Sequence, residues 1–336
     1  MSFLGWGCRL RWRVRLNGRG VDCHLLARRG RCFSGLLALA AGLLLLGACG
    51  SGGGTASSAS SVEIAGKIVT ADATIRDMLP DAMKSGGVVR VDCDVPYPPW
   101  QMYQELGTDK FNGAEIEMGN ALAAKMGVRF VWQNSMFDSI IPALQADKAD
   151  AVMATMWDSR DREKIMDFVD WAKDGGVLVV MKGNPKGVTG LDDLSGRTVA
   201  VQSGTLFVGQ LANQQKKLVA AGKPQMQILQ FSKDAEALLA LRSSKAEVEM
   251  TSAPGAAYLV QTPEGAAFEL VADPAAPYTP SLVGVGVLKK NSQLRDAIKA
   301  AFDALMADGT YNAILDKYQV RSLLSVTEVK VNAATQ

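Results

Sequence analysis

Histidine is almost missing from this chain: of 336 residues only His24 is one, and it falls within the first fifty. A His-Cys zinc site, a Ser-His-Asp triad and a Cys-His dyad are therefore excluded from the folded body, so no catalytic residue, metal or cofactor is expected. Cysteine is scarce too. Cys8, Cys23, Cys32 and Cys49 sit in the first 49 residues, which leaves Cys93 as the one body thiol with no internal disulfide partner. Basic excess is confined to the leader. Residues 1–48 carry eight arginines against one acid, Asp22, so 28 of the 36 basic and 33 of the 34 acidic residues follow, a net charge of −5. A nucleic-acid partner needs basic clustering on the folded domain and is excluded. The apolar run at 36–46 falls well short of the roughly 20 residues of a comfortable membrane span.

What is there begins with export. Arg28-Arg29-Gly30-Arg31, that apolar run and Leu46-Gly47-Ala48-Cys49 read as a signal peptide over 1–48. The last four residues resemble a bacterial lipobox, which implies that Cys49 is lipidated and becomes the mature N-terminus. The long prelude is consistent with a true start further along, and the paired arginines leave the general and twin-arginine routes open. Residues 50–61, GSGGGTASSASS, form a flexible tether with a root-mean-square span of roughly 20 Å. The polar lead-in that follows has weak helical character at 75–83, and the whole of 49–85 is assigned to the lipidated cysteine and tether.

Beyond residue 86, short apolar runs alternate with amphipathic helical patterns, as in βαβ units with a largely parallel sheet. The series occurs twice, and a 336-residue chain exceeds what one core usually serves. The expected architecture is α/β and two-lobed, with 86–175 the first part of lobe 1, 176–275 lobe 2, 276–322 the return to lobe 1 and 323–336 a C-terminal tail. An apolar run at 177–181 suits a crossing strand, and Pro274, Pro277 and Pro280 mark the return. Ligands bind beyond the carboxyl ends of strands in such sheets. Three loops arrive there. The first, 92–100, presents Asp94, Tyr97 and Trp100. The second lies in 150–168, DAVMATMWDSRDREKIMDF, where an apolar strand feeds a loop and then Arg162, whose planar fork of donors matches a carboxylate. The third, Gln202-Ser203-Gly204-Thr205, opens a helix whose free N–H groups can hold an anion.

Several segments taken together resemble the extracytoplasmic solute-binding proteins of ABC importers, polar amino-acid class, over about residues 86–320. Gly113-Ala114-Glu115-Ile116-Glu117-Met118 is similar to the family's first-helix motif, although Ala114 is smaller than usual. The run at 137–144, FDSIIPAL, resembles the next helix; Arg162 with Asp167-Phe168 matches the family's ligand arginine and following Phe; and Asp308-Gly309-Thr310-Tyr311 looks like the terminal helix break. The resemblance implies a periplasmic-binding-protein-like fold, each lobe a mostly parallel sheet flanked by helices, joined by a two-segment hinge. It also implies that Asp94, Tyr97 and Trp100 line one lobe, that Thr155 and Arg162 hold an α-carboxylate, and that Gly204 and Thr205 meet it from the other. Two positions depart: Trp157 replaces a small hydroxyl residue, and Ser252 stands where the family has the Asp that pairs with an α-ammonium. Either both face the ligand and disfavour common α-amino acids, or Trp157 points into the core and a nearby acid replaces the missing one. The implied function is capture of an amino acid or related carboxylate by hinge closure and delivery to a membrane permease, extracytoplasmically and from a lipid anchor. Rivals are a dehydratase of a cyclic carboxylic acid on the same scaffold and an extracellular sensor module.

Overall fold

The computed structural model describes residues 61–335. The signal peptide, Cys49 and residues 50–60 lie outside the described residues. Folded structure starts earlier than the lead-in suggested: β1 (Ser61–Ile64) and β2 (Lys67–Thr70) form a hairpin. Its turn, Ala65-Gly66, has both residues at positive φ, the geometry that matches strand twist in a two-residue turn. Helix α1 (Ala73–Asp77) follows, its first N–H groups accepted by the Asp72 carboxylate at 2.8 and 3.3 Å. Then comes α2 (Asp81–Gly86). Ile64, Val69, Ile75 and Leu79 are buried in the main core, so residues 61–85 belong to the folded body and not to a tether. These short elements have no strong pattern of their own; packing against the next helices is what orders them.

Lobe 1 is built on β3 (Val88–Cys93), with the small ribbon β4 (Met102–Tyr103) and β5 (Phe111–Asn112) on its flank. The chain continues through α3 (Ala114–Lys125), β6 (Arg129–Asn134), α4 (Phe137–Gln145), β7 (Ala151–Val152) and α5 (Arg160–Glu163). Strand β3 pairs in parallel with both β6 and β7. The 16-residue strand β8 (Met166–Met181) then leaves the lobe. Lobe 2 contains β9 (Thr198–Gln202), α6 (Leu206–Ala220), β10 (Gln227–Phe231), α7 (Asp234–Arg242), β11 (Val248–Ser252), α8 (Ala253–Leu259) and β12 (Phe268–Val271). Here β9 is the centre, parallel to β10 and β11. The chain returns along β13 (Tyr278–Leu288) and ends with α9 (Ser292–Ala307), α10 (Thr310–Lys317), α11 (Arg321–Leu324) and β14 (Ser325–Val331).

The path through the main sheet is β10-β9-β11-β8-β13-β7-β3-β6. Two long strands, β8 and β13, therefore serve both lobes, which is the two-segment connection expected of this fold. The first half of β8 pairs with β13 and β14, the second with β11 and β12, and the exchange falls at Asp174 to Gly176. A Cβ on Gly175 would come within 2.4 Å of Pro277, so only glycine lets the two connecting strands pass this closely. The last residues are no tail. β14 pairs with β8, Val329 is buried, and the Asn332 side chain accepts from Phe168 N–H at 2.8 Å. Helix α9 turns Leu294, Ile298, Phe302 and Leu305 onto lobe 1, where Phe302 stacks on Trp171 at 5.8 Å.

Candidate functional site

Between the lobes lies a narrow cleft, lined by Asp94, Tyr97, Thr155, Trp157, Arg162 and Thr205 among the expected residues. Phe137, Ala154, Asp174, Gln202, Leu206 and Phe207 complete the lining. Each wall comes from a strand's carboxyl end, as the loop placement required.

Arg162 is the strongest feature. Ser159 caps the short α5 by accepting Arg162 N–H at 3.3 Å, and this start tucks the side chain inward, where it is only 8 % exposed. Nη1 donates to Trp157 O at 2.7 Å and Nη2 to Gly204 O at 3.1 Å, while the Phe137 ring lies 5.7 Å from the guanidinium carbon. Among the described residues no carboxylate bonds to it; burial lowers its pKa to about 10, with the nearby Asp158 carboxyl opposing. A buried cation whose side-chain hydrogen bonds all go to carbonyls can take an anion that enters the cleft. Gly204 reaches Arg162 from the other lobe at φ 76°, where a Cβ would lie 2.9 Å from the Asp138 backbone. Thr205 begins α6, its hydroxyl donating to Gln202 O at 2.8 Å.

Thr155 is held with its φ at 51°, rare for a β-branched residue. Its N–H and hydroxyl donate to Glu115 Oε2 at 2.8 and 3.2 Å, and Gln101 also donates to that oxygen. Burial pushes Glu115 up to about 8 against those bonds. Asp94 is spoken for as well: Lys233, at the start of α7, crosses the cleft to it, and Gln202 Nε2 donates at 2.5 Å. Burial raises the Asp94 pKa nonetheless, with Lys233 and Gln202 opposing. Tyr97 OH meets Thr251 Oγ1 at 3.2 Å, a further contact between the lobes.

Two expectations are corrected. Trp100 does not line the cleft; it is fully buried in lobe 1, edge-on to Trp171 at 5.9 Å, because an indole beyond two prolines gains more by filling the core. Ser252 is not at the surface of the cleft either. It stands behind Asp174, to which its hydroxyl donates at 2.9 Å. Trp157 does line the cleft, its ring edge-on to Phe207 at 4.8 Å and its Nε1 donating to Asp174 Oδ2 at 2.8 Å. Sequence reasoning overlooked Asp174; the available signal was an acid followed by two glycines inside the apolar run of β8. It overlooked Lys233 too, for which helix-start position gave no cue.

Residues 89–321 match the model of the bacterial extracellular solute-binding proteins, family 3. An L-arginine-binding protein of Pseudomonas aeruginosa is 28% identical over 68% of this chain and 87% of its own length. Among solved structures, an ancestral arginine-binding protein bound to arginine is 32% identical, covering 69% of this chain and 98% of that one with a TM-score of 0.61. An ancestral amino acid-binding protein, described as a precursor of cyclohexadienyl dehydratase, is 28% identical over 71% of this chain and 98% of its own, with a TM-score of 0.60. The chain belongs to family 3 of the bacterial extracellular solute-binding proteins.

Proposed function

We propose that this protein captures an amino acid or a closely related carboxylate between its lobes and hands it to the permease of an ABC importer. The observation that carries the reading is Arg162, a buried guanidinium without a carboxylate partner among the described residues, facing a cleft between two lobes. The ligand's carboxylate lies against Arg162 and the first N–H groups of α6, with Thr155, tied to Glu115, forming the wall beside them, while Tyr97, Asp94 and Gly204 contribute from either side. Bridging both lobes is what favours the closed form, since a ligand shifts an equilibrium only by its differential contacts. The protein works outside the cytoplasm, held to the membrane by a lipid on Cys49. Relatives named for arginine support an amino acid as cargo.

Arg162→Lys tests the reading. A point-charge ammonium cannot make two parallel bonds, so calorimetry with amino acids that bind the wild type should show a loss of about 2 kcal/mol or more at unchanged melting temperature. Unchanged affinity would return Arg162 to a structural role. The dehydratase reading draws on Asp174, a cleft carboxyl that burial pushes up to about 7, within reach of acid-base work. Recovery of bound ligand chemically unaltered after long incubation rules it out.

A further inference from the structure

The family's acid for an α-ammonium would stand at Ser252, and its loss argued for a ligand without a primary ammonium. The geometry of the cleft points the other way. Asp174 lies in the strand that joins the lobes and turns its carboxylate into this corner; it is 4 % exposed. Oδ1 accepts from Gly175 N–H at 2.7 Å and from Ser252 Oγ at 2.9 Å, Oδ2 accepts from Trp157 Nε1 at 2.8 Å, and the Ala253 N–H adds a weaker pull on the same carboxyl. All of these donors are neutral, so none supplies the positive charge that a buried carboxylate needs. Among the described residues no cation pairs with Asp174. The cleft thus holds a buried guanidinium and a buried carboxyl, neither of them in an ion pair among the described residues, and both line the same space. Trp157 spaces them: its carbonyl takes Arg162 Nη1 and its indole N–H takes Asp174.

We infer that Asp174 has taken over the role of ammonium acceptor, with Ser252 and Trp157 as positioning residues, and that the cleft selects zwitterionic α-amino acids over their des-amino counterparts. The inference rests on the carboxylate reading of Arg162 and deepens it. A zwitterion fits because its two charges are fixed one carbon apart and can satisfy both buried groups at once. A carboxylate without the amine leaves Asp174 alone. Trp157 is then more than a wall. It replaces a small residue of the family and supplies one of the neutral donors that hold the displaced acid in place.

The test uses calorimetry of the full-length protein with L-arginine, L-glutamine and the des-amino counterpart of each. Wild type should bind at least one of the two amino acids on the order of 30-fold more tightly than its des-amino counterpart, and Asp174→Asn should erase that preference while leaving the des-amino affinity nearly unchanged, as expected when one partner of a buried charge pair is removed. Adding Ser252→Asp to Asp174→Asn should restore the preference by returning an acid to the family's position. Equal affinity of wild type for an amino acid and its des-amino counterpart overturns the inference without touching Arg162, and needs no variant to fold. An equal loss for both classes in Asp174→Asn also overturns it, since that is what a merely structural acid would give. Failure of all four compounds to bind wild type overturns the carboxylate reading itself, and this inference with it.

Discussion

Asp158 illustrates how a single residue can work against the fold it sits in. It is fully buried, and the groups its carboxyl faces are themselves carboxyls, Asp170 and Glu163, with no neutral or cationic donor among the described residues. Burial raises both pKa values, with the nearby carboxyls adding for Asp158, so the pair keeps a proton to higher pH than exposed acids do. The sign follows from linkage: the folded state binds protons more tightly than the unfolded state. Stability from this pair is fully present below the ordinary Asp range and is lost as pH rises through the elevated folded values. Asp158→Asn cannot ionise. Its melting temperature should exceed that of wild type at pH 8 and converge with it near pH 4, and a variant less stable than wild type at both would mean that Asp158 makes a contact worth more than its charge costs. Arg162 and Asp174 are buried charges of another kind, each left open toward a cleft instead of toward a core.

At the scale of elements, the loop between β9 and α6 decides how closely the lobes approach. Gly204 combines a left-handed φ with a path only a hydrogen atom can follow past Asp138. Gly204→Ala should therefore penalise the closed form more than the fold. Affinity for any amino acid that binds wild type should drop on the order of tenfold or more, from strain and overpacking of roughly 1–3 kcal/mol, while the lobes' own cores are untouched. Equal affinity in the variant would show that the closed form tolerates a wider gap. The strands and long helices of both lobes were legible in sequence: Gln227–Phe231 and Asp234–Arg242 occupy the expected residues, the strand half-buried at Ile228, Leu229 and Phe231 and the helix burying a stripe at Ala237, Ala240 and Leu241. The hairpin of β1 and β2 and the final strand β14 were not. Both are short, and pairing with distant residues stabilises them more than any local pattern does.

For the whole molecule, two lobes share β8 and β13, and direct contacts cross the cleft: Lys233 and Gln202 to Asp94, Tyr97 to Thr251, and Arg162 to Gly204. Such contacts stabilise closure only when solvent has been expelled, which ties capture to hinge motion. The proposed anchorage through Cys49 makes its own prediction. Cys49→Ser should leave melting and ligand affinity unchanged yet release the protein from membranes; a variant still recovered with the lipid fraction after a high-salt wash would mean that something other than the lipid holds it.

The sequence by itself determined the alternation of strands and helices, the pair of lobes, and an arginine placed beyond a strand's end. These depend on local periodicity and on side-chain chemistry carried within one segment. Only the tertiary structure decided that Trp100 fills a core, that Lys233 crosses to Asp94, and that Asp174 stands in front of Ser252. Those outcomes join residues 71 to 139 positions apart, and which side chain reaches a shared corner depends on how the hinge strands pass one another. An acid lost from one loop and regained from another strand leaves the local pattern of each segment unremarkable; its meaning arises only where the two chains of contacts meet.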